Sequence, residues 1–173
     1  MATVPSIGYR NGNGASSRSN GAGLCTVLFV CVENSNRSQM AEAFARMHGE
    51  GLLLASSAGS RPATRVNPRA VAAMAERGYD MTSHHAQSLV VAGPGPWDYV
   101  VTMGCGDACP WVPAVERIDW EIPDPAKLSD DEFRGVRDRI ESAVFELLVR
   151  IRKQRAQGTG PRAESKVQRT QNV

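Results

Sequence analysis

Short continuous apolar runs alternate along the chain with segments in which apolar residues recur every three or four positions. The run at residues 25–30 is apolar and β-branched, which is typical of a strand covered on both faces. Further runs predict strands at residues 52–56, 97–102 and 115–118, and helical spacing predicts helices at residues 38–48, 68–77 and 130–151. Strands and helices in this order predict an α/β fold, a three-layer sandwich with a parallel sheet and helices on both of its faces.

Signals at the helix ends support these boundaries. Asn67 is a suitable N-cap with Pro68 at the first helical position, and Ser129 with Glu132 forms a capping box. Gly78 follows the helix that Pro68 opens and offers a stop. In such folds ligands bind at the carboxyl ends of the strands, so the polar loop after the first strand is the place to look for a site.

Composition and charge divide the chain into a body and two tails. The chain has 173 residues, 42% of them hydrophobic, but no apolar run long enough for a membrane helix. Its N-terminal stretch is rich in Gly, Ser and Asn, so we do not expect it to act as a secretory signal. Residues 24–149 carry 11 basic and 17 acidic side chains, while residues 150–173 carry seven basic side chains and one acidic. We predict a disordered tail at residues 1–23, one domain at 24–156 and a basic disordered tail at 157–173. A solvated tail is the simplest reading of the basic end, and contact with RNA or an acidic partner is the alternative.

Cysteine usage points to the cytoplasm. Four cysteines in 173 residues are too few to staple a secreted domain, and a reducing compartment in which thiols do chemistry fits better. Aromatic residues make up only 6% of the chain, which argues against a stacking platform for nucleic acid. We therefore expect a cytoplasmic monomer that works without a membrane or a nucleic acid.

The loop after the first strand has the pattern of an oxyanion site. Cys31 and Arg37 lie six positions apart and bracket a turn between a buried strand and a helix start, so that backbone N–H groups and the positive helix end can converge on an anion. Arg37 adds a fork for two oxygens, Ser38 can donate a hydrogen bond to sulfur and Asn34 can brace the loop. These groups favour the ionised sulfur, so we expect Cys31 to be a nucleophilic thiolate at neutral pH. The loop residues expected to surround the anion are Val32, Glu33, Asn34, Ser35, Asn36 and Arg37.

The stretch TVLFVCVENSNRSQMAE, read from Thr26, resembles the low-molecular-weight protein tyrosine phosphatase superfamily and, within it, the phosphatase-like arsenate reductases. Further blocks agree: Ser57-Ala58-Gly59-Ser60, Gly78-Tyr79-Asp80 with His84 downstream, and Asp124-Pro125. The resemblance runs from about residue 25 to 150 and implies a four-stranded parallel sheet. It also implies a nucleophile at Cys31, an oxyanion clamp at Arg37, a thiolate-stabilising hydroxyl at Ser38 and a general acid at Asp124. A carboxyl on a Pro-flanked loop suits that last role, because a leaving oxygen needs a proton.

Three features favour a reductase over a phosphatase. Gln39 follows Ser38 where the phosphatases more often carry Pro, and Ala126 follows Asp124-Pro125 where they place an aromatic residue. Cys105 and Cys109 follow the third strand and carry the most weight. Cys105 could attack the Cys31 sulfur and Cys109 could resolve the disulfide, with electrons from thioredoxin or a low-molecular-weight thiol and no bound cofactor.

Some positions depart from the family pattern. Glu33 replaces the usual glycine and is tolerable only if its carboxylate points to solvent, and Asn36 replaces a frequent second cysteine. Asn34 and Glu42 match positions that in some arsenate reductases help to hold a monovalent cation, whereas we expect no resident metal. Cys25 is expected to be a core residue, and the two histidines after residue 83 to lie at a helix start or on the surface.

Three hypotheses remain open from the sequence. The leading one is a cytoplasmic, thiol-dependent arsenate reductase that uses the Cys105 and Cys109 relay. The second is a phosphatase that hydrolyses phosphotyrosine or small phosphoesters through a Cys31 phosphoenzyme. The third is a non-catalytic oxyanion-binding module in which Glu33 weakens catalysis.

Overall fold

The computed structural model describes residues 23–104 and 110–160, and within them the alternation of strands and helices is as predicted. In chain order the elements are β1 (Cys25–Cys31), α1 (Arg37–His48), β2 (Leu53–Gly59), α2 (Pro68–Ala75), α3 (Leu89–Ala92), β3 (Trp97–Thr102), β4 (Ala114–Asp119) and α4 (Asp130–Gln157). The four strands form one parallel sheet in the order β2-β1-β3-β4, which confirms the predicted fold class.

Most of the core lies on one face of the sheet. Val27 and Phe29 of β1 point to that face and pack with buried residues of α1, α2 and α4. The predicted apolar stripe of α4 is buried there in full: Val136, Ile140, Val144, Leu147, Leu148 and Ile151. Leu28 and Val30 point to the opposite face, where a smaller cluster includes Leu89 and Ala92 of α3. This alternation is the period of two that a strand buried on both faces requires.

Helix boundaries follow the predicted caps, and differences arise at the short elements. The Asn67 side chain accepts from the Arg69 N–H, and Ser129 and Glu132 form a reciprocal capping box. The helix predicted over residues 68–77 ends two residues earlier, and the chain then turns at Gly78, where φ is +80°. Helix α3 has only four residues, too few to show a helical period in the sequence.

Strand β2 continues to Gly59, three residues beyond its predicted end, because it pairs with β1 up to Cys31. The sheet order places β2 on one side of β1 and β3 on the other. The loop that leaves the carboxyl end of β1 therefore lies at the switch point of the sheet, where α/β folds bind ligands. Among the described residues, no helix is both long enough and apolar enough to cross a membrane.

Candidate active site

The loop between β1 and α1 directs its carbonyl groups away from its own interior. The carbonyls of Cys31, Val32, Glu33 and Ser35 accept hydrogen bonds from N–H groups of residues 60–67, at 2.9 to 3.3 Å. We call this stretch the flanking segment. Because the carbonyls are engaged there, we expect the N–H groups of the loop to face the amino end of α1. Converging N–H groups at a helix start make an anion site.

The sulfur of Cys31 lies at the edge of this loop and receives two hydrogen-bonding groups. Ser38 Oγ lies 3.0 Å from Sγ, and the backbone N–H of Asn34 donates to Sγ at 3.2 Å. Cys31 is 3% exposed and Ser38 is fully buried. Both contacts stabilise negative charge on sulfur, which is what a cysteine nucleophile needs.

Asn34 is the hub that orients the Ser38 hydroxyl. Its backbone is left-handed, with φ of 49°, and its Oδ1 accepts from the backbone N–H of Gln87 at 2.8 Å. Since that N–H can only donate, the amide orientation is fixed, and Nδ2 donates to Ser38 Oγ and Ser57 Oγ, each at 2.8 Å. Ser38 accepts from Asn34 and is therefore free to donate its own proton to Cys31.

Glu42 lies at the end of a second branch from Asn34. Ser57 Oγ donates to Glu42 Oε2 at 2.5 Å, and Arg46 forms an ion pair with the other oxygen. Burial raises the pKa of Glu42, although the Ser57 hydrogen bond and Arg46 act in the opposite direction. Asn34 and Glu42 were considered as ligands of a monovalent cation. In the structure their side-chain oxygens accept hydrogen bonds or form an ion pair with protein groups instead. Among the described residues, no cluster of three His, Cys, Asp or Glu side chains could hold a metal ion.

A third branch reaches a histidine that the sequence analysis placed at a helix start or on the surface. Gln39 donates through Nε2 to Asn34 Oδ1 and to the His85 carbonyl, each at 2.9 Å. Its Oε1 lies 2.8 Å from His84 Nδ1, and His84 Nε2 lies 3.1 Å from the Tyr79 hydroxyl. Partial burial, followed by nearby Arg46 and His85, lowers the pKa of His84. His85 is exposed, as expected, whereas His84 is half-buried and contacts Gln39, 45 residues earlier in the chain, which the local sequence does not indicate.

Arg37 connects the loop to the segment after β4. Its Nη1 donates to the Ile122 carbonyl at 3.1 Å, and its Nη2 lies 3.7 Å from Asp124 Oδ2. A Cβ at Gly104, where φ is +64°, would lie 3.0 Å from the same Nη1. The buried guanidinium therefore packs against the end of β3 as well as against the Asp124 loop.

Asp124 is the exposed member of the site. Its side chain is 61% exposed, and Oδ1 accepts from the Ala126 N–H at 3.1 Å. Arg37 is thus the residue that brings the predicted general acid and the cysteine loop together. An exposed carboxyl on a loop can approach a leaving oxygen from the solvent side.

The remaining loop positions differ in exposure. Glu33 is exposed to solvent, which is the condition under which a carboxylate beside an anion site is acceptable. Its Oε2 accepts a hydrogen bond from Ser35 Oγ at 3.1 Å. Val32 packs against the smaller apolar cluster. Asn36 is buried at the N-cap of α1, where its side chain makes no capping hydrogen bond.

The predicted relay cysteines, Cys105 and Cys109, lie outside the described residues. The described residues end at Gly104, two residues after β3, and resume at Pro110. Cys25 is buried at the start of β1, six residues before the nucleophile and at the opposite edge of the sheet, which agrees with its prediction as a core residue.

Ser57, Gln39 and Gln87 complete the network, and the sequence analysis gave them no role. Ser57 appeared only within a family block and Gln39 only as a difference from the phosphatases. The sequence analysis placed neither Gln39 nor Ser57 on a buried face, so it gave no signal for them, and the structure leaves them 1% and 0% exposed. Buried polar side chains of this kind are nearly always hydrogen-bonded.

The chain is similar in sequence to known proteins. The sequence pattern of the family described as "Low molecular weight phosphotyrosine protein phosphatase" matches residues 26–157. A relative from Synechocystis sp., named "Glutaredoxin arsenate reductase", is 37% identical over 128 residues, which cover 72% of this chain and 97% of the relative.

Solved structures give the same picture. A structure described as an arsenate reductase in the phosphate binding state has a TM-score of 0.69 and 36% identity, and the match covers 74% of this chain and 99% of that one. A thioredoxin-dependent arsenate reductase from Corynebacterium glutamicum has a TM-score of 0.64 and 31% identity, over 78% of this chain and 65% of that one.

Proposed function

Because this chain belongs to the low molecular weight phosphotyrosine protein phosphatase family, we propose that the Cys31 thiolate attacks a tetrahedral oxyanion, and that the oxyanion is arsenate. The chain is an arsenate reductase, like the relatives and the structures it resembles. The main observation in support of this mechanism is the surroundings of the Cys31 sulfur. This sulfur receives hydrogen bonds from Ser38 and the Asn34 N–H at the edge of a loop that also presents Arg37.

The first step joins sulfur to arsenic. The Cys31 thiolate donates its electron pair to arsenic(V), the bond from arsenic to one hydroxyl group breaks, and the departing hydroxyl takes one proton from Asp124 and leaves as water. Arg37 and the loop N–H groups hold the other oxygens, whose negative charge grows as the bond forms. Arsenic remains in the +5 state at this point.

The second step reduces arsenic. A second thiolate, which we assign to Cys105, attacks the Cys31 sulfur and forms a disulfide, while the As–S electron pair stays on arsenic and yields arsenite in the +3 state. Cys109 then attacks Cys105 and releases Cys31 as a thiolate. The Cys105–Cys109 disulfide is returned to two thiols by an external dithiol, which is itself oxidised to a disulfide.

The names of the similar proteins point to different external reductants. The Corynebacterium structure is described as thioredoxin-dependent, whereas the Synechocystis relative carries glutaredoxin in its name. A pair of relay cysteines outside the nucleophilic loop suits a protein dithiol, so we propose a thioredoxin-like reductant and a reducing cytoplasm. No bound cofactor is needed, since the electrons pass through thiols alone.

Phosphoester hydrolysis is the second candidate, because the same loop can form a Cys31 phosphoenzyme that water hydrolyses. Ala126 favours the reductase, since it places a methyl group beside Asp124-Pro125 where an aromatic wall would hold a phosphotyrosine ring. The two activities share Cys31, Arg37 and Asp124 and differ in their need for a second thiol.

The test compares Cys105→Ser with Cys31→Ser. We expect Cys105→Ser to abolish arsenate reduction, measured as NADPH consumption with thioredoxin and thioredoxin reductase, while hydrolysis of 4-nitrophenyl phosphate continues. Cys31→Ser should lose both activities, and Cys25→Ser is the matched control that should lose neither. Arsenate reduction that survives in Cys105→Ser would rule out the relay. Disulfide mapping by mass spectrometry after one turnover without reductant should find Cys105 joined to Cys109.

A further inference from the structure

The flanking segment, residues 60–67, carries two arginines beside the anion loop. The Arg61 N–H donates to the Val32 carbonyl at 2.9 Å, and the Asn67 N–H donates to the Ser35 carbonyl at 3.0 Å. Val66 is buried and holds the segment down between these two contacts. The backbone at Arg61 and Arg65 is therefore fixed along the outer side of the loop.

Neither arginine has a partner among the described residues. Arg61 and Arg65 are exposed, and neither takes part in an ion pair or a side-chain hydrogen bond. Several other arginines of the described chain form ion pairs, including Arg37 with Asp124 and Arg69 with Asp130. Two positive charges with no ion-pair partner among the described residues thus lie on the segment beside the anion loop, in a domain, residues 24–149, that carries six more acidic than basic side chains.

Glu33 supplies the opposing charge within the loop. Its carboxylate is exposed, and its Oε2 accepts from Ser35 Oγ at 3.1 Å. The Ala63 N–H donates to the Glu33 carbonyl at 2.9 Å, so the backbone of Glu33 pairs with the residue midway between Arg61 and Arg65. A lone carboxylate there repels the anion that the loop N–H groups attract.

We infer that Arg61 and Arg65 form a basic rim that attracts doubly charged oxyanions to the Cys31 loop, and that Glu33 opposes it. This inference rests on the proposed function for its choice of substrate. The three residues set how fast anions arrive and how strongly a dianion is preferred over a monoanion, and they take no part in bond making. Charges around a cleft act in this way by raising the local concentration of the oppositely charged ligand.

The size of the effect follows from Coulomb attraction across water. A charge about 10 Å from a dianion changes its local concentration by about threefold at low salt, and this effect fades as the Debye length falls from about 10 Å at 0.1 M to about 3 Å at 1 M. We therefore expect Arg61→Gln and Arg65→Gln each to lower kcat/KM for arsenate by about threefold at low salt, with kcat unchanged. Glu33→Gln should raise it by a similar factor.

The first experiment measures kcat/KM for arsenate in the full chain at low salt and with added NaCl. Arg152→Gln is the matched control, because Arg152 is also exposed but lies near the carboxyl end of α4, away from the loop. The double variant Arg61→Gln with Arg65→Gln should show a flatter salt dependence than the control. Equal salt dependence in both proteins would overturn the inference, as would a loss that persists at high salt, since the latter indicates direct contact.

A second readout does not depend on arsenate reduction. Iodoacetate is an anion and iodoacetamide is neutral, so the ratio of their alkylation rates at Cys31, measured on the Cys31 peptide by mass spectrometry, reports the potential at the sulfur. The ratio should fall in the arginine variants, rise in Glu33→Gln and stay constant in Arg152→Gln. A constant ratio in all variants would overturn the basic rim. If the ratio changes in the variants but the wild-type protein does not reduce arsenate, the basic rim is supported and arsenate is rejected as the substrate.

Discussion

Asp124 is held at the site by an ion pair with one buried side chain, Arg37. One guanidinium nitrogen of Arg37 donates to the Ile122 carbonyl at 3.1 Å, and the other lies 3.7 Å from the Asp124 carboxylate. Asp124 itself is largely exposed, and among the described residues its one further hydrogen bond is from the Ala126 N–H. A carboxyl with so few partners can move toward a leaving oxygen at little cost. The residue is therefore suited to proton transfer and contributes little to stability.

Replacement of Asp124 by Asn should lower kcat for arsenate by about 10²- to 10⁴-fold, because the departing oxygen loses its proton donor. The effect should depend on the leaving group: hydrolysis of phenyl phosphate should fall further than hydrolysis of 4-nitrophenyl phosphate, since nitrophenolate leaves without a proton. Initial rates on the two esters check this. Asp131→Asn, on the exposed first turn of α4, is the control and should leave both rates unchanged. Equal losses on both esters would argue against a role as acid.

The sequence predicts the contiguous part of this site and misses the part assembled from distant segments. Cys31, Arg37 and Ser38 lie in one short loop, so their spacing alone indicates an anion site. Ser57 and His84 reach the loop only because strand pairing and chain packing place them there. Nothing local in the sequence encodes that approach.

At the scale of elements, the site depends on how closely the ends of β1 and β2 approach. Cys31 pairs with Gly59 at the last rung of the parallel ladder. A Cβ at Gly59 would lie 2.6 Å from the Val32 carbonyl oxygen and 2.9 Å from the Asn34 N–H nitrogen, both backbone atoms that cannot rotate away. The absence of a side chain at Gly59 thus allows the loop to keep the Asn34 N–H on the Cys31 sulfur.

Gly59→Ala should therefore lower kcat/KM by at least an order of magnitude and lower the free energy of unfolding by about 1–3 kcal/mol, as overpacking does. Kinetics with arsenate and urea unfolding check the two parts. Gly135→Ala is the matched control: a Cβ there meets nothing within 4 Å, and Ala in a helix interior should stabilise the protein by about 0.5–1 kcal/mol without changing kcat/KM. Normal activity in Gly59→Ala would show that the loop tolerates displacement.

Long elements were predictable and short ones were not. The apolar stripe and the capping box of α4 act within one segment, so both appear in the sequence. Helix α3 has four residues and no buried position, so its sequence shows no helical period. Its N-cap, Ser88, forms a parallel bridge with Gly59 of β2, a contact that cannot be predicted from the residues around Ser88. Strand β2 runs past its predicted end because pairing with β1, and not its own apolar content, decides its length.

At the scale of the whole molecule, the hydrogen-bond network joins α1, β2 and the chain after α2 through side chains that must hold particular protonation states. His84 lies at its outer end, between Gln39 of α1 and Tyr79. As a neutral imidazole, His84 donates from Nδ1 to the Gln39 oxygen and accepts from the Tyr79 hydroxyl at Nε2. Its ionisable neighbours are Arg46, the adjacent His85 and, with opposite sign, Asp80.

The lowered pKa of His84 makes stability depend on pH in a defined direction. The ordinary value is 6.5, and partial burial makes the folded imidazole bind a proton less readily than the unfolded one. The unfolded chain therefore takes up the proton first as pH falls below that value, and the free energy of unfolding decreases from pH 7.5 to 5.5. His84→Gln should remove this part of the decrease, whereas His85→Gln, on an exposed neighbour, should retain it. Urea unfolding of the three proteins at both pH values measures the difference, and an equal decrease in wild type and His84→Gln would show that the imidazole does not couple folding to protons.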